Sequence, residues 1–169
     1  MRDQGTLDAV LVAVRVVAGL TLALHGYQKV MLGGRLPGTA RWFESLGMHP
    51  GRLHAALAAF TELASGLGFA LGVLTPLTAA GCVGIMAVAA WTHRSAFFVF
   101  KDGWEYNLVL ASLFALVATS GPGRWSIDRA LGIDHDLDGL VGLGISAAGL
   151  VVAAALLLVF WRPTAEPAP

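Results

Sequence analysis

Eight residues in this chain carry chemistry that a lipid-facing sequence does not need: Arg15, His25, Lys29, Glu62, His93, Glu105, Tyr106 and Asn107. Between them they offer hydrogen-bond donors for a carbonyl oxygen, a guanidinium for developing negative charge, and groups that carry protons. The stretch "LTLALHGYQKV" (20–30) poses the question most sharply, because an apolar run ends abruptly in His25, Gly26, Gln28 and Lys29. That ending is either a helix meeting water or one wall of a polar site. Arg15 and Glu62 lie deeper, inside apolar runs. An ionised residue near a bilayer centre costs at least about 2.5–3.5 kcal/mol on insertion scales, so it is expected to face the bundle interior and to have a partner.

The elements that must position these residues follow from composition. Hydrophobic residues make up 56% of the chain and charged residues 13%, against about 45–50% and about 25% in soluble domains. The chain reads as a multi-pass integral membrane protein of the plasma membrane, with the lipid bilayer as its first partner. A formal net charge of zero gives no basic patch and so no nucleic-acid partner. Cys82 is the only cysteine, which excludes an internal disulfide or a Cys-x-x-Cys couple; it reads as a small buried hydrophobe. The first apolar stretch contains Arg15 and has no small-x-small site before its polar break, so it is expected to stay attached as the first span.

Four apolar stretches, Leu7–Leu24, Leu53–Leu74, Leu77–Phe98 and Leu140–Trp161, approach or exceed the roughly 18–20 residues that cross a bilayer as a helix. A fifth, Tyr106–Ser120, is shorter and crosses if its helix begins near Trp104. No barrel-like alternation is present, so the fold class is an all-α membrane protein. Thr75–Pro76 joins two spans in a tight hairpin, with the proline stopping the first of them. In the first loop, 25–52, "TARWFESLG" suits one or two helical turns ending at Gly47, with Trp42 and Phe43 dipped into the interface. Ser126 is placed to cap a short helix after the "SGPG" turn, and the tail 163–169 is expected to be disordered.

Counting along antiparallel spans from a shared loop sets Arg15 and Glu62 at nearly equal depth, about 13–15 Å from that side. They are expected to pair, either as a strut between helices or as the floor of a ligand or proton path. His25, Lys29, His93, Lys101, Glu105, Tyr106 and Asn107 converge at the mouth above them. Each has a plainer alternative: interfacial imidazoles, lysines snorkelling to phosphates, and Glu105 stabilising a helix N-terminus. Lysine and arginine counts favour an external N-terminus and a cytoplasmic C-terminus. No closely spaced ligand pair supports a metal site. "DHDLDG" (134–139) copies the start of a calcium loop but has Ile145 where the bidentate glutamate belongs, and Asp138 reads instead as a cap for the last span. The Gly68–Gly72 step suits close helix packing, within the bundle or in a homo-oligomer.

The order of motifs resembles the DoxX family of small bacterial membrane proteins. The resemblance rests on "VRVVAGLTLALHGYQKV", "FTELASGLGFALGVLTPLTA", "KDGWEYNLVL" and "GPGRWSID", over about residues 8–132. It implies a DoxX-like four-helix transmembrane bundle over 1–132 in a bacterial inner membrane. To this the chain adds a linker and fifth transmembrane helix over 133–162. Some relatives are named as subunits of thiosulfate–quinone oxidoreductases. The resemblance therefore implies a quinone-linked redox role, with a quinone oxygen held by His25, Lys29 or His93, Arg15 stabilising negative charge and Glu62 carrying protons. No flavin, haem or iron–sulfur motif is present, nor any covalently bound cofactor, so electrons would come from a partner subunit or another redox partner. The alternative is a non-enzymatic accessory subunit of a larger membrane complex. A transporter is a weaker reading, since no inverted repeat is visible.

Overall fold

The computed structural model describes residues 3–162, so the expected tail at 163–169 lies outside the described residues. Among the described residues the named elements are all helices, beside one isolated bridge between Met48 and Trp161. The long helices are α1 (Gln4–Met31), α3 (Gly51–Leu71), α4 (Thr75–Thr92), α5 (Glu105–Ser120) and α7 (Gly139–Phe160); two shorter ones are α2 (Arg35–Ser45) and α6 (Ile127–Leu131). Helices α1, α3, α4 and α7 are long and apolar enough to cross a membrane, whereas α5 has 16 residues, about 24 Å of rise. Even so, α5 runs from the α4 C-terminal end of the bundle to the end that holds the start of α1, where the turn after it meets Asp8 and Arg15.

The most extensive helix contact is α1 with α3, and its sequence cause is a set of glycines. A Cβ at Gly19 would lie 2.5 Å from the Gly66 carbonyl oxygen, and one at Gly26 would lie 2.7 Å from that of Ala59. Gly19 and Gly26 are seven residues apart, two helical turns on one face, so they lay bare backbone along the seam as small residues do in lipid. The expected Gly68–Gly72 step does other work. Gly68 faces Thr78, and Gly72 takes a left-handed conformation that ends α3. Gly72, and not Pro76, is therefore the stop signal; Pro76 sits in the first turn of α4, where its missing N–H costs nothing.

Phe69, Cys82, Leu22 and Phe114 fill the centre of the bundle, with the Phe69 and Phe114 rings edge to face at 4.8 Å. Cys82 is fully buried there, as a small hydrophobe. Helix α7 packs on α4 and α5 and keeps Leu140, Val151 and Leu158 exposed, the pattern of a lipid-facing span. At its far end Trp161 donates from Nε1 to the Leu46 carbonyl at 3.1 Å and packs edge to face on Trp91.

Several boundaries differ from the sequence expectation for identifiable reasons. Helix α1 continues to Met31, past His25 and Lys29, because those polar side chains sit on one face of an uninterrupted helix. Helix α2 is eleven residues long rather than one or two turns. Its Phe43 is buried against Met48 and Ala55 while Trp42 remains exposed. Helix α4 stops at Thr92, leaving Phe97 and Phe98 in the following loop. Ser126 caps α6 as expected, accepting from the Arg129 amide at 3.1 Å. Asp138 occupies the N-cap position of α7 but makes no side-chain cap; its Oδ2 lies 3.6 Å from His135 Nδ1.

Candidate functional site

Glycine packing sets the heights of the buried charges. Gly26 of α1 lies against Ala59, Leu63 and the Glu62 Cβ, whereas Arg15 lies against Gly72. From residue 62 to residue 72 along α3 is ten residues, about 15 Å of rise. The expected Arg15–Glu62 pair is thus overturned. It assumed that α1 ends at His25 beside the start of the next span, but α1 runs on for six more residues and the whole register slides.

Each charge has a different partner. Glu62 is 5% exposed, and its Oε2 accepts from Lys29 Nζ at 2.6 Å. Lys29 can reach because Gly26, one turn earlier, lets α3 approach closely enough for the carboxylate to span the seam. Arg15 is 2% exposed. Its Nη1 donates to the Pro122 carbonyl and its Nη2 to the Trp125 carbonyl at 2.6 Å. The planar fork of a guanidinium suits two divergent carbonyls. Nearby, Asp128 accepts from the Leu74 amide (2.6 Å), the Thr75 amide (2.7 Å) and the Thr75 hydroxyl (2.6 Å). This carboxylate serves the N-terminus of α4, where orphan amides and the helix dipole favour negative charge.

His25, His93, Tyr106 and Asn107 come together at the opposite end of α1. With Met86, Val99 and Asp102 they line a cavity of about 190 Å³ among α1, α4 and α5. The His25 and Tyr106 rings are 6.3 Å apart and tilted. Asn107 is buried, and its Nδ2 makes a weak contact to Met86 Sδ at 3.7 Å, leaving its carbonyl and second N–H for another partner. His93 Nδ1 lies 3.0 Å from the Asp102 carbonyl oxygen. A carbonyl only accepts, so Nδ1 carries the proton, and in the neutral ring Nε2 is left as an acceptor.

The roof of this cavity is the chain between α4 and α5. A single 3₁₀ turn, Val99–Lys101, folds it back. Gly103 is needed there, since a Cβ would collide with the Phe97 carbonyl. Glu105 Oε1 accepts from the Val99 amide at 3.1 Å, so Glu105 holds the roof and does not line the cavity. Lys101 is exposed above the Phe100 ring. His25 also borders a second cleft of about 450 Å³, with Gln28, Lys29, Arg35 and Thr39. One imidazole thus stands between a pocket among the helices and an opening that leads to the Lys29–Glu62 pair.

Of the eight residues singled out by type, four share the cavity, Lys29 and Glu62 form the adjacent pair, Glu105 shapes the roof, and Arg15 is elsewhere. Sequence reasoning missed Met86 and Asp102; Gly103, a lone glycine before "WEYN", was the available sign of a turn over a site. It also missed His54, which is 2% exposed between the Phe43 and Phe160 rings. Among the described residues no group of three or more potential ligands is arranged to hold a metal ion.

Comparison with known proteins agrees with the membrane architecture. Residues 10–95, which span α1 to the end of α4, match the profile of the DoxX family. The inner membrane protein YqjF of Escherichia coli is 29% identical over 126 residues, covering 73% of this chain and 93% of that protein. The uncharacterized membrane protein Rv3486 of Mycobacterium tuberculosis is 29% identical over 136 residues, covering 72% of this chain and 80% of that protein. No solved structure matches.

Proposed function

The chain belongs to the DoxX family of integral membrane proteins, and from that premise we propose that it binds the head of a quinone in the cavity beneath Val99 and Asp102, as the membrane subunit of a redox system. The observation that carries this reading is the gathering of Tyr106, Asn107, His25 and His93 around one small cavity between spans. A volume of about 190 Å³ is below the roughly 300–1,000 Å³ of pockets that enclose a drug-sized ligand. Only a ring-sized head would be enclosed, and an apolar tail would have to lie in lipid along α1 and α5. Exposed Leu24 and Val109 offer that surface.

The residues fit such a head by their chemistry. The Tyr106 hydroxyl and the free Asn107 N–H are donors for a carbonyl oxygen, and His93 Nε2 is an acceptor for a hydroxyl proton. When bound, a quinone supplies two-electron redox chemistry; the protein's part is to orient it, exclude water and hold protons. His25 lies on the wall shared with the second cleft, which Lys29 also lines; Lys29, 23% exposed, pairs there with the buried Glu62. Intramembrane ionisable groups of this kind mark proton routes. Arg15 has no part in this account, because it sits at the other end of α1.

A second reading, an accessory subunit of a larger complex, is favoured by an apolar groove of about 680 Å³ among α3, α4 and α7. Leu57, Leu77 and Val152 are exposed along it and would receive the apolar face of another helix. Either way, the side bearing α2, the α4–α5 loop and Trp161 carries most of the lysines and arginines. That distribution supports a cytoplasmic placement for it and an external N-terminus, testable with topology reporters fused at each terminus.

Mass spectrometry of the organic extract of gently purified protein tests the quinone reading. Stoichiometric quinone, lost in His25→Ala while the protein remains folded, is the expected result. A stoichiometric protein partner with no quinone would transfer the function to the accessory reading.

A further inference from the structure

The end of the bundle opposite the quinone pocket holds a second polar cleft, of about 590 Å³, between the start of α1, the turn at Gly121–Arg124 and the connection from α6 to α7. Asp134 lines it and is 8% exposed. Its Oδ2 accepts from Arg129 Nη1 at 3.2 Å and lies 3.7 Å from His135 Nε2. Its Oδ1 is buried with no hydrogen-bond partner among the described residues. A carboxylate oxygen withdrawn from water without a donor is costly, so the cleft calls for a group that donates. Asp8 is already engaged, accepting from the Arg124 amide at 2.9 Å; the Arg124 side chain, 69% exposed at the rim, also brings its Nε within 4.0 Å of Asp8 Oδ2.

The charges narrow the ligand. Three carboxylates, Asp8, Asp134 and Asp138, and two guanidiniums, Arg124 and Arg129, border one cleft. The guanidiniums oppose a bare metal cation and the carboxylates oppose a bare anion, so a group bearing both signs is the best complement. Leu7 and Leu11 form the adjoining wall and continue into the lipid-facing side of α1, where Val10 and Val17 are exposed. Polar above and apolar below, at the end of the spans, the cleft has the layout of the bilayer interface itself.

We propose that this cleft binds an aminophospholipid, with the primary ammonium of its headgroup donating to Asp134 Oδ1, the phosphate beside Arg124, and the start of an acyl chain along Leu7 and Leu11. A primary ammonium supplies the N–H that Asp134 lacks; a trimethylated ammonium has none. The site is separate from the quinone pocket and stands whether or not that pocket takes a quinone.

The test uses the full chain in nanodiscs containing equal parts phosphatidylethanolamine, phosphatidylcholine and phosphatidylglycerol, followed by native mass spectrometry of the lipid retained on release. One charge-assisted hydrogen bond gives an expected preference for phosphatidylethanolamine over phosphatidylcholine of about tenfold. Asp134→Asn, which keeps the side-chain volume, is expected to bring the ratio close to one. The wild-type experiment decides by itself if that variant fails to fold. Equal retention of phosphatidylcholine, or a preference for phosphatidylglycerol, would overturn the proposal, as would an unchanged ratio in a folded Asp134→Asn. Displacement of the retained lipid by millimolar phosphoethanolamine would assign the cleft to a soluble amine and overturn the lipid assignment.

Discussion

Arg15 and Lys29 are both cations on the inner face of α1, fourteen residues and about 21 Å apart, yet their surroundings differ in kind. Arg15 is enclosed by the carbonyls of Pro122 and Trp125 and the backbone of Gly72. Lys29 is paired with Glu62 beside an open cleft, next to an imidazole that borders a cavity. The first arrangement fastens a loop to α1 and the end of α3 and leaves no room for a ligand. The second leaves groups of both signs beside space. What lies around a buried charge, and not its presence in a span, separates a structural clasp from a candidate site.

Replacing each region in turn sharpens that contrast. Arg15→Met should have the largest effect on stability, a loss of about 3 kcal/mol, because the buried Pro122 carbonyl and the part-buried Trp125 carbonyl lose their donors together. Thermal denaturation in detergent checks this, and Arg15→Lys should recover only part of the loss, since one ammonium cannot reproduce the fork. Next comes the seam that sets the register. Gly19→Val forces α1 from α3 and should cost about 2 kcal/mol, measured in the same way; an unchanged melting temperature would contradict the close packing. Glu62→Gln should cost only about 1 kcal/mol, because the Lys29 side chain, 23% exposed, can turn toward water. Tyr106→Phe should change stability by less than about 0.5 kcal/mol while weakening quinone binding about tenfold, measured by titration with a short-tailed quinone.

The sequence made the membrane class, the long apolar helices and the lopsided distribution of polar residues legible, since length and hydropathy carry those directly. Ser126 was legible because capping is local. The partners of Arg15 and Glu62 were not. Depth counting needs the true end of α1, and "HGYQK" looks like a terminus although the helix passes through it. The register is held by Gly19, Gly26 and Gly66, whose meaning emerges only once two helices touch. Asp128 was recognisable as part of a motif, but its service to the start of α4, fifty-three residues away, depends on a tertiary contact. The place of His54 is not legible for the same reason: its aromatic neighbours Phe43 and Phe160 come from α2 and α7.

The division between clasp and site is tested most directly by measuring melting temperature and bound quinone on the same preparations of Arg15→Lys and His25→Ala. The account predicts opposite losses: Arg15→Lys melts earlier but keeps its quinone, and His25→Ala melts like the parent but loses it. Quinone lost from folded Arg15→Lys, or retained in full by His25→Ala, would contradict it.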